Sequence, residues 1–225
     1  MKELKTYASR EELSEAVSEL VADRLRALIS TQGTARLAVP GGTTPGPMLT
    51  RLGQAELSWE DVRVTLTDER WVPTSSDRSN QRLLADTLFA GHGAEAIFAP
   101  LYSGAPEPAL GIHAISDGLE QTVLPLDIAV LGMGGDMHTA SLFPGAVGLA
   151  EALAPDAPAA LVITAPGATE PRITLSARVL NAAERHILIT GADKRTALDR
   201  ALSLNDPLAA PVCAVLQNAT IHYAD

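Results

Sequence analysis

The chain reads as an α/β protein built on a mostly parallel sheet with helices on both faces, and three observations predict this. Short apolar runs of strand length alternate with helix-patterned segments along the chain; such alternation leads to parallel strands joined by helical crossovers. The run Ile128-Ala129-Val130-Leu131 is apolar throughout, as suits a strand covered on both sides. The 225 residues are 46% apolar with no break in composition, so a single domain over residues 1–225 with one sizeable core is expected.

In order, residues 11–29 carry Leu13, Val17, Leu20, Val21, Leu25 and Leu28 at helical spacing, with Ser9 as the amino-cap. Residues 35–39 read as a strand, 45–52 as a helix with proline in its first turn, 62–67 as a strand and 79–89 as a helix. After a Gly/Pro-rich connection at 103–108, residues 109–123 read as a helix weakened by Gly111 and Gly118, and 127–131 as the buried strand. Residues 161–164, 173–175 and 186–190 read as further strands of this architecture, 194–204 as a helix and 220–223 as a closing strand. Residues 152–160 form an Ala/Pro-rich loop, and no internal repeat is visible.

A formal charge of −10 without a basic tail or face argues against nucleic acid or an anionic membrane as partner. It leaves room for a small anionic ligand, because a few local cations outweigh a screened global charge. The amino-terminal Met1-Lys2-Glu3-Leu4 lacks a basic-then-apolar leader pattern and no window has the apolar length of a membrane span, so a soluble cytoplasmic protein is expected. The single cysteine, Cys213, lies in an apolar run and reads as core.

Four segments concentrate chemistry. Val39-Pro40-Gly41-Gly42-Thr43-Thr44-Pro45-Gly46 carries a strand into paired glycines and two hydroxyls before a helix, a pattern suited to cradling phosphate. It is also compatible with an ordinary strand-to-helix turn. Thr67-Asp68-Glu69-Arg70-Trp71-Val72-Pro73 puts charges at a strand terminus, followed by Ser79-Asn80. Here Arg70 can fork onto a phosphate or carboxylate with Asp68 and Glu69 holding its orientation, or the cluster is a surface ion-pair group. Asn80 reads simply as a residue of the next helix's first turn.

In the third segment, Gly132-Met133-Gly134-Gly135-Asp136-Met137-His138 follows the buried strand and precedes Thr139-Ala140-Ser141, which can begin a helix. An imidazole there can serve as general base, with the nearby carboxylate fixing its orientation. Ser141 is outside a G-x-S-x-G context and is not read as a nucleophile. His92, His113, His186 and His222 lack ligand spacing, so no metal site is expected. The fourth segment pairs Arg172 in Pro171-Arg172-Ile173-Thr174-Leu175 with Lys194 after Gly191-Ala192-Asp193. Singly these are surface charges; together with the glycine loop they can surround a phosphate.

Taken in this order over nearly the whole chain, these segments resemble the 6-phosphogluconolactonase family, which is similar in fold to glucosamine-6-phosphate deaminases and isomerases. The resemblance implies a modified Rossmann-like, three-layer α/β/α domain that hydrolyses 6-phospho-D-glucono-1,5-lactone to 6-phosphogluconate. No cofactor, metal or covalent intermediate is implied, and the partner is a small phosphosugar lactone bound by a monomer or weak homodimer. By the same resemblance His138 is the base, Asp136 its orienting partner, and Arg70 with nearby backbone N–H groups the support for the oxyanion. Substrate binding falls to Gly41, Gly42, Thr43, Thr44, Asp68, Asn80, Arg172 and Lys194, with Gly41, Gly42, Thr43, Arg172 and Lys194 around the phosphate.

One position departs from the family pattern: Met137 stands where the family has glycine between the acid and the histidine. If that turn requires positive φ, Met137 carries strain; if methionine is merely tolerated, Met137→Gly keeps activity. Two other functions fit the fold. A deaminase is disfavoured because Thr139-Ala140-Ser141-Leu142-Phe143-Pro144 stands where related deaminases carry Asn-Glu-Pro, and a sugar-phosphate sensor because no output module is visible.

Overall fold

The computed structural model describes residues 3–225; Met1 and Lys2, which open the segment read for a leader, lie outside the described residues. The chain runs β1 (Glu3–Thr6), α1 (Arg10–Gln32), β2 (Ala35–Val39), α2 (Gly46–Gly53), β3 (Val62–Leu66), β4 (Asp68–Arg70), α3 (Asn80–Asp86) and β5 (Ile97–Ala99). It continues through α4 (Pro108–Thr122), β6 (Ile128–Gly132), α5 (Leu149–Ala152), β7 (Ala160–Ile163), β8 (Arg172–Leu175), α6 (Ala177–Asn181), β9 (Glu184–Thr190), α7 (Ala192–Leu204) and β10 (Thr220–Ala224). Helix α1 shows why the pattern was readable. The Ser9 hydroxyl accepts the Glu12 N–H at 3.1 Å, Gly33 ends the helix at φ 77°, and Leu13, Val17, Val21 and Leu25, four residues apart, are buried.

Seven strands form one sheet in the order β1-β10-β9-β6-β2-β3-β5, with every pairing parallel. Strands β2 and β6 are neighbours, and the chain leaves them toward opposite edges, through β3 and β5 on one side and β9 and β10 on the other. The carboxyl ends of two such strands frame the crevice where open α/β sheets hold ligands. Among the described residues no helix is long and apolar enough to cross a membrane.

Two expectations need correction. The runs at 161–164 and 173–175 are strands, but with β4 they form a separate antiparallel sheet, ordered β4-β8-β7. The segment joining β7 to β8 is too short for the crossover that parallel neighbours require. Thr67 turns the chain from one sheet into the other: its N–H donates to the Val39 carbonyl and its own carbonyl accepts the Leu175 N–H, both at 2.9 Å. Residues 139–141 do not begin a helix. Ala140 is left-handed, at φ 48°, the Leu142 N–H closes back on the Thr139 carbonyl at 2.9 Å, and the Ser141 N–H donates to Thr174 Oγ1 at 3.2 Å.

Candidate active site

Beyond β6 the backbone closes into a tight turn. The Gly134 N–H donates to the His138 carbonyl at 2.9 Å and the Met137 N–H to the Gly134 carbonyl at 3.0 Å. Met137 adopts φ 70°, the strained conformation that methionine in place of glycine raised as a question. Its side chain is only 5% exposed and belongs to the main core, while its carbonyl accepts the Val212 N–H at 3.0 Å. Methionine is therefore a packed element of the turn, anchored to the segment before β10.

Within that turn His138 Nδ1 lies 2.5 Å from Asp136 Oδ1. An ionised carboxylate only accepts, so Nδ1 carries a proton, and in the neutral imidazole Nε2 is the acceptor. Burial pushes the Asp136 carboxyl up, but the hydrogen bonds and charge of His138 outweigh it and hold the group below its ordinary range. A β-carbon on Gly134 would fall 2.1 Å from His138 Nδ1 and 2.5 Å from Asp136 Oδ1, so this pair can close only over a glycine. Lys194, in the first turn of α7, donates from Nζ to the Met133 carbonyl at 2.6 Å. Burial lowers its pKa, and the Asp136 charge opposes that shift.

A second part of the lining comes from the small sheet. Arg70 and Arg172 are directly paired residues of β4 and β8, and Asp68 faces Thr174 two positions along. Directly opposed residues, and those two apart, share one face of a strand pair, so the two guanidinium groups and the Asp68 carboxylate are gathered together. Arg70 Nη1 donates to the Arg78 carbonyl at 2.5 Å. Among the described residues, Arg70 Nε and Arg172 Nε are buried without a hydrogen-bond partner. Burial lowers the Arg172 pKa; Asp68 opposes this and Arg70 adds to it.

The acids beside Arg70 do not orient it as expected. Asp68 Oδ2 accepts the Ser141 hydroxyl at 2.5 Å and lies 3.9 Å from Arg172 Nη1. Glu69 is fully buried and fastens the start of α3, accepting the N–H groups of Asn80 and Gln81 at 2.7 Å and the Ser79 hydroxyl at 3.0 Å. Burial pushes its carboxyl up against the pull of those hydrogen bonds. A buried acid at a helix amino-terminus completes otherwise unpaired donors, a role that becomes visible only once the helix is placed.

The base turn and the small sheet line a pocket of about 230 Å³ together with the loop after β2. Every catalytic or binding residue expected from the sequence lines it except Asp136, which reaches it through His138. Asn80 does more than begin a helix. Its Nδ2 donates to the Asp68 carbonyl at 2.8 Å, and a β-carbon on Gly41 would fall 1.9 Å from its Oδ1, so the glycine loop rests directly on Asn80. Arg172 and Lys194 line the same pocket, with Arg172 nearest the charges of Asp68, Arg70, Glu170 and Arg78 and Lys194 nearest that of Asp136. The Gly134 N–H, a nearby candidate for oxyanion support, is already bonded to the His138 carbonyl. Ser141, Glu69 and Phe143 carry contacts that sequence reasoning did not assign, because each depends on a strand or helix brought up from elsewhere.

Fold and pocket together define an α/β protein of the phosphosugar isomerase and deaminase class. The family described as glucosamine-6-phosphate isomerases/6-phosphogluconolactonase matches residues 8–223, and the chain belongs to it, in its 6-phosphogluconolactonase branch. A Rhizobium meliloti protein named 6-phosphogluconolactonase is 45% identical over 210 residues, 92% of this chain and 90% of that protein. A Pseudomonas aeruginosa protein of the same name is 39% identical over 98% of this chain and 94% of its own length. The crystal structure of a 6-phosphogluconolactonase from Shewanella baltica superposes with a TM-score of 0.96 at 29% identity, covering all of this chain and 98% of the other. A monomeric glucosamine-6-phosphate deaminase, at 17% identity and TM-score 0.77 over 99% and 97% of the two chains, shares the fold.

Proposed function

We propose that this protein hydrolyses 6-phospho-D-glucono-1,5-lactone to 6-phospho-D-gluconate, the lactonase step of the oxidative pentose phosphate pathway, as a cytoplasmic monomer or weak homodimer. The observation that carries the reading is an imidazole held by a carboxylate at 2.5 Å, in a pocket it shares with Arg70, Arg172 and Lys194. His138 Nε2 takes a proton from water as the water oxygen bonds to C1 of the lactone. The tetrahedral intermediate then collapses, the bond from C1 to the ring oxygen breaks, and His138 returns the proton to that oxygen. Asp136 holds the ring and favours the imidazolium formed between the two steps. The lactone is an activated ester, so a positioned base and electrostatic support suffice without a covalent intermediate.

For the 6-phosphate we assign Arg172 with its partner Arg70, and the loop Gly41, Gly42, Thr43 and Thr44. Their shared place in the pocket lining supports this, since two guanidinium groups and loop N–H groups suit a phosphate dianion. Asp68 and Asn80 hold that lining and loop. Lys194, tied to the base turn through Met133, is assigned to the charge developing at C1, the support first expected from Arg70. Turnover of freshly generated phosphogluconolactone, with spontaneous hydrolysis subtracted, tests the activity. Release of ammonia from glucosamine 6-phosphate without lactone turnover would instead identify a deaminase.

A further inference from the structure

We propose that Phe143 is a positioning residue that sets the base and the phosphate-binding arginine against one aromatic ring. The inference rests on the assignments of His138 and Arg172 made above. The Phe143 ring stacks on the His138 imidazole with centroids 4.1 Å apart and planes 28° from parallel. The same ring lies beneath Arg172, whose Cζ is 5.0 Å from its centroid. Phe143 is half-buried, and its backbone is held on both sides, by the Leu142 N–H to the Thr139 carbonyl at 2.9 Å and the Ala146 N–H to its own carbonyl at 3.1 Å.

Each partner needs such a surface. One hydrogen bond to Asp136 fixes where His138 Nδ1 sits but leaves the imidazole able to tilt about that contact, which would swing Nε2 away from the attacking water. A flat ring against its face removes the tilt. Arg172 has its carboxylate neighbour Asp68 at 3.9 Å, beyond hydrogen-bond length, and its Nε has no partner among the described residues. An aromatic face attracts a guanidinium and orients its plane while leaving the N–H edge free for phosphate.

The test is Phe143→Leu, which keeps an apolar side chain and removes the flat face, assayed on phosphogluconolactone. KM is expected to rise about 3- to 10-fold, the size of a partly desolvated cation–π contact, and kcat to fall about tenfold from loss of base alignment. Phe143→Tyr, which restores the ring, returns both to within about twofold of the parent. In an Arg172→Ala background, Phe143→Leu no longer changes KM but still lowers kcat, a split that a general packing defect would not give. If Phe143→Leu lowers the melting temperature by many degrees, Phe143→Met supplies the same ring-free comparison. Retention of parental kcat and KM in the ring-free variant, or a KM effect that persists without Arg172, overturns the proposal. Full activity of His138→Ala would instead overturn the base assignment beneath it, so the two failures are distinguishable.

Discussion

The two walls of the pocket are built by opposite means. The base turn is a local object: Gly134, Asp136, Met137 and His138 hold one another through hydrogen bonds that span four residues or fewer. The arginine wall is assembled from distant segments, with Arg70 and Arg172 meeting only because β4 and β8 pair in one register. The local wall resembles a cassette whose geometry follows its sequence, whereas the remote wall depends on strand register, since a one-residue slip turns every side chain to the other face. Chemistry at C1 is assigned to the first wall and recognition of the phosphate to the second, so substitutions in the two should separate kcat from KM.

The sharpest break of that division is His138→Ala. Its kcat should fall about 10²- to 10⁴-fold, the range for loss of a positioned general base, while 6-phosphogluconate affinity stays within a few-fold. Calorimetric titration of the product checks this, and an equal loss of product affinity would make His138 a binding residue. Next in size, Lys194→Ala should lower kcat about 10²-fold, as for removal of one oxyanion donor, on both the phosphorylated lactone and plain D-glucono-1,5-lactone. Arg172→Ala should raise KM about 10- to 100-fold for the phosphorylated lactone alone, the worth of charge-assisted bonds to phosphate. If Lys194→Ala showed the selectivity assigned to Arg172, both cations would surround the phosphate, as the sequence grouped them.

The same contrast explains what could be read from the sequence. Five of the seven strands of the main sheet were legible because apolar runs and amphipathic spacing report burial directly: the helix over 11–29 is α1, and the strand over 127–131 is β6 to within a residue, whereas the short edge strands β1 and β5 were not read. The base turn was legible as a set, since its glycines, acid and imidazole are contiguous. Of the small sheet, β7 and β8 were read as strands, but β4 and the separate antiparallel pairing were not. Its strands are short, β4 is three residues of charged sequence, and nothing local in Asp68-Glu69-Arg70 states that Glu69 will fasten a helix while Asp68 turns to Ser141 and Arg172. Phe143 was hidden for the same reason, its partners being one local side chain and one remote.

Two histidines outside the pocket provide a control on the base. Tyr7 donates its hydroxyl to His222 Nδ1 at 2.7 Å, His222 Nε2 lies 3.1 Å from His186 Nδ1, and His186 Nε2 lies 3.3 Å from Glu184 Oε1. This chain of donors is complete with both imidazoles neutral. Burial lowers both pKa values, that of His222 to about 3, and the charges of Lys5 and, at His186, Arg24 add to this while Glu184 opposes it at His186. Below about pH 6.5 the unfolded chain takes up protons that the folded pair refuses. The stability contributed is therefore full above that pH and is lost as pH falls toward 3. The urea midpoint should drop between pH 7.5 and 5.0, and His222→Gln should flatten the drop; an unchanged slope would show that the pair is not its source.

The smallest expected effect bears on how the local wall holds its shape. Were methionine merely tolerated at 137, glycine would relieve the φ 70° strain and leave a turn at least as good. The buried Met137 side chain argues otherwise. Relief of a left-handed non-glycine backbone is worth about 1 kcal/mol, whereas removing a buried methionine side chain costs about 2–5 kcal/mol, and glycine adds about 0.5–1 kcal/mol of unfolded-state entropy. Met137→Gly should therefore be destabilised by about 1.5–5 kcal/mol on balance, with kcat per folded molecule within a few-fold because the closing hydrogen bonds are backbone ones. Met137→Ala loses the same packing yet keeps the strain, so it should melt no higher than Met137→Gly despite alanine's lower unfolded-state entropy. Thermal melting of both variants beside their kcat decides the matter: a glycine variant as stable as the parent would mean that the side chain contributes no packing. A stable variant with lost activity would mean that Met137 shapes the base turn itself.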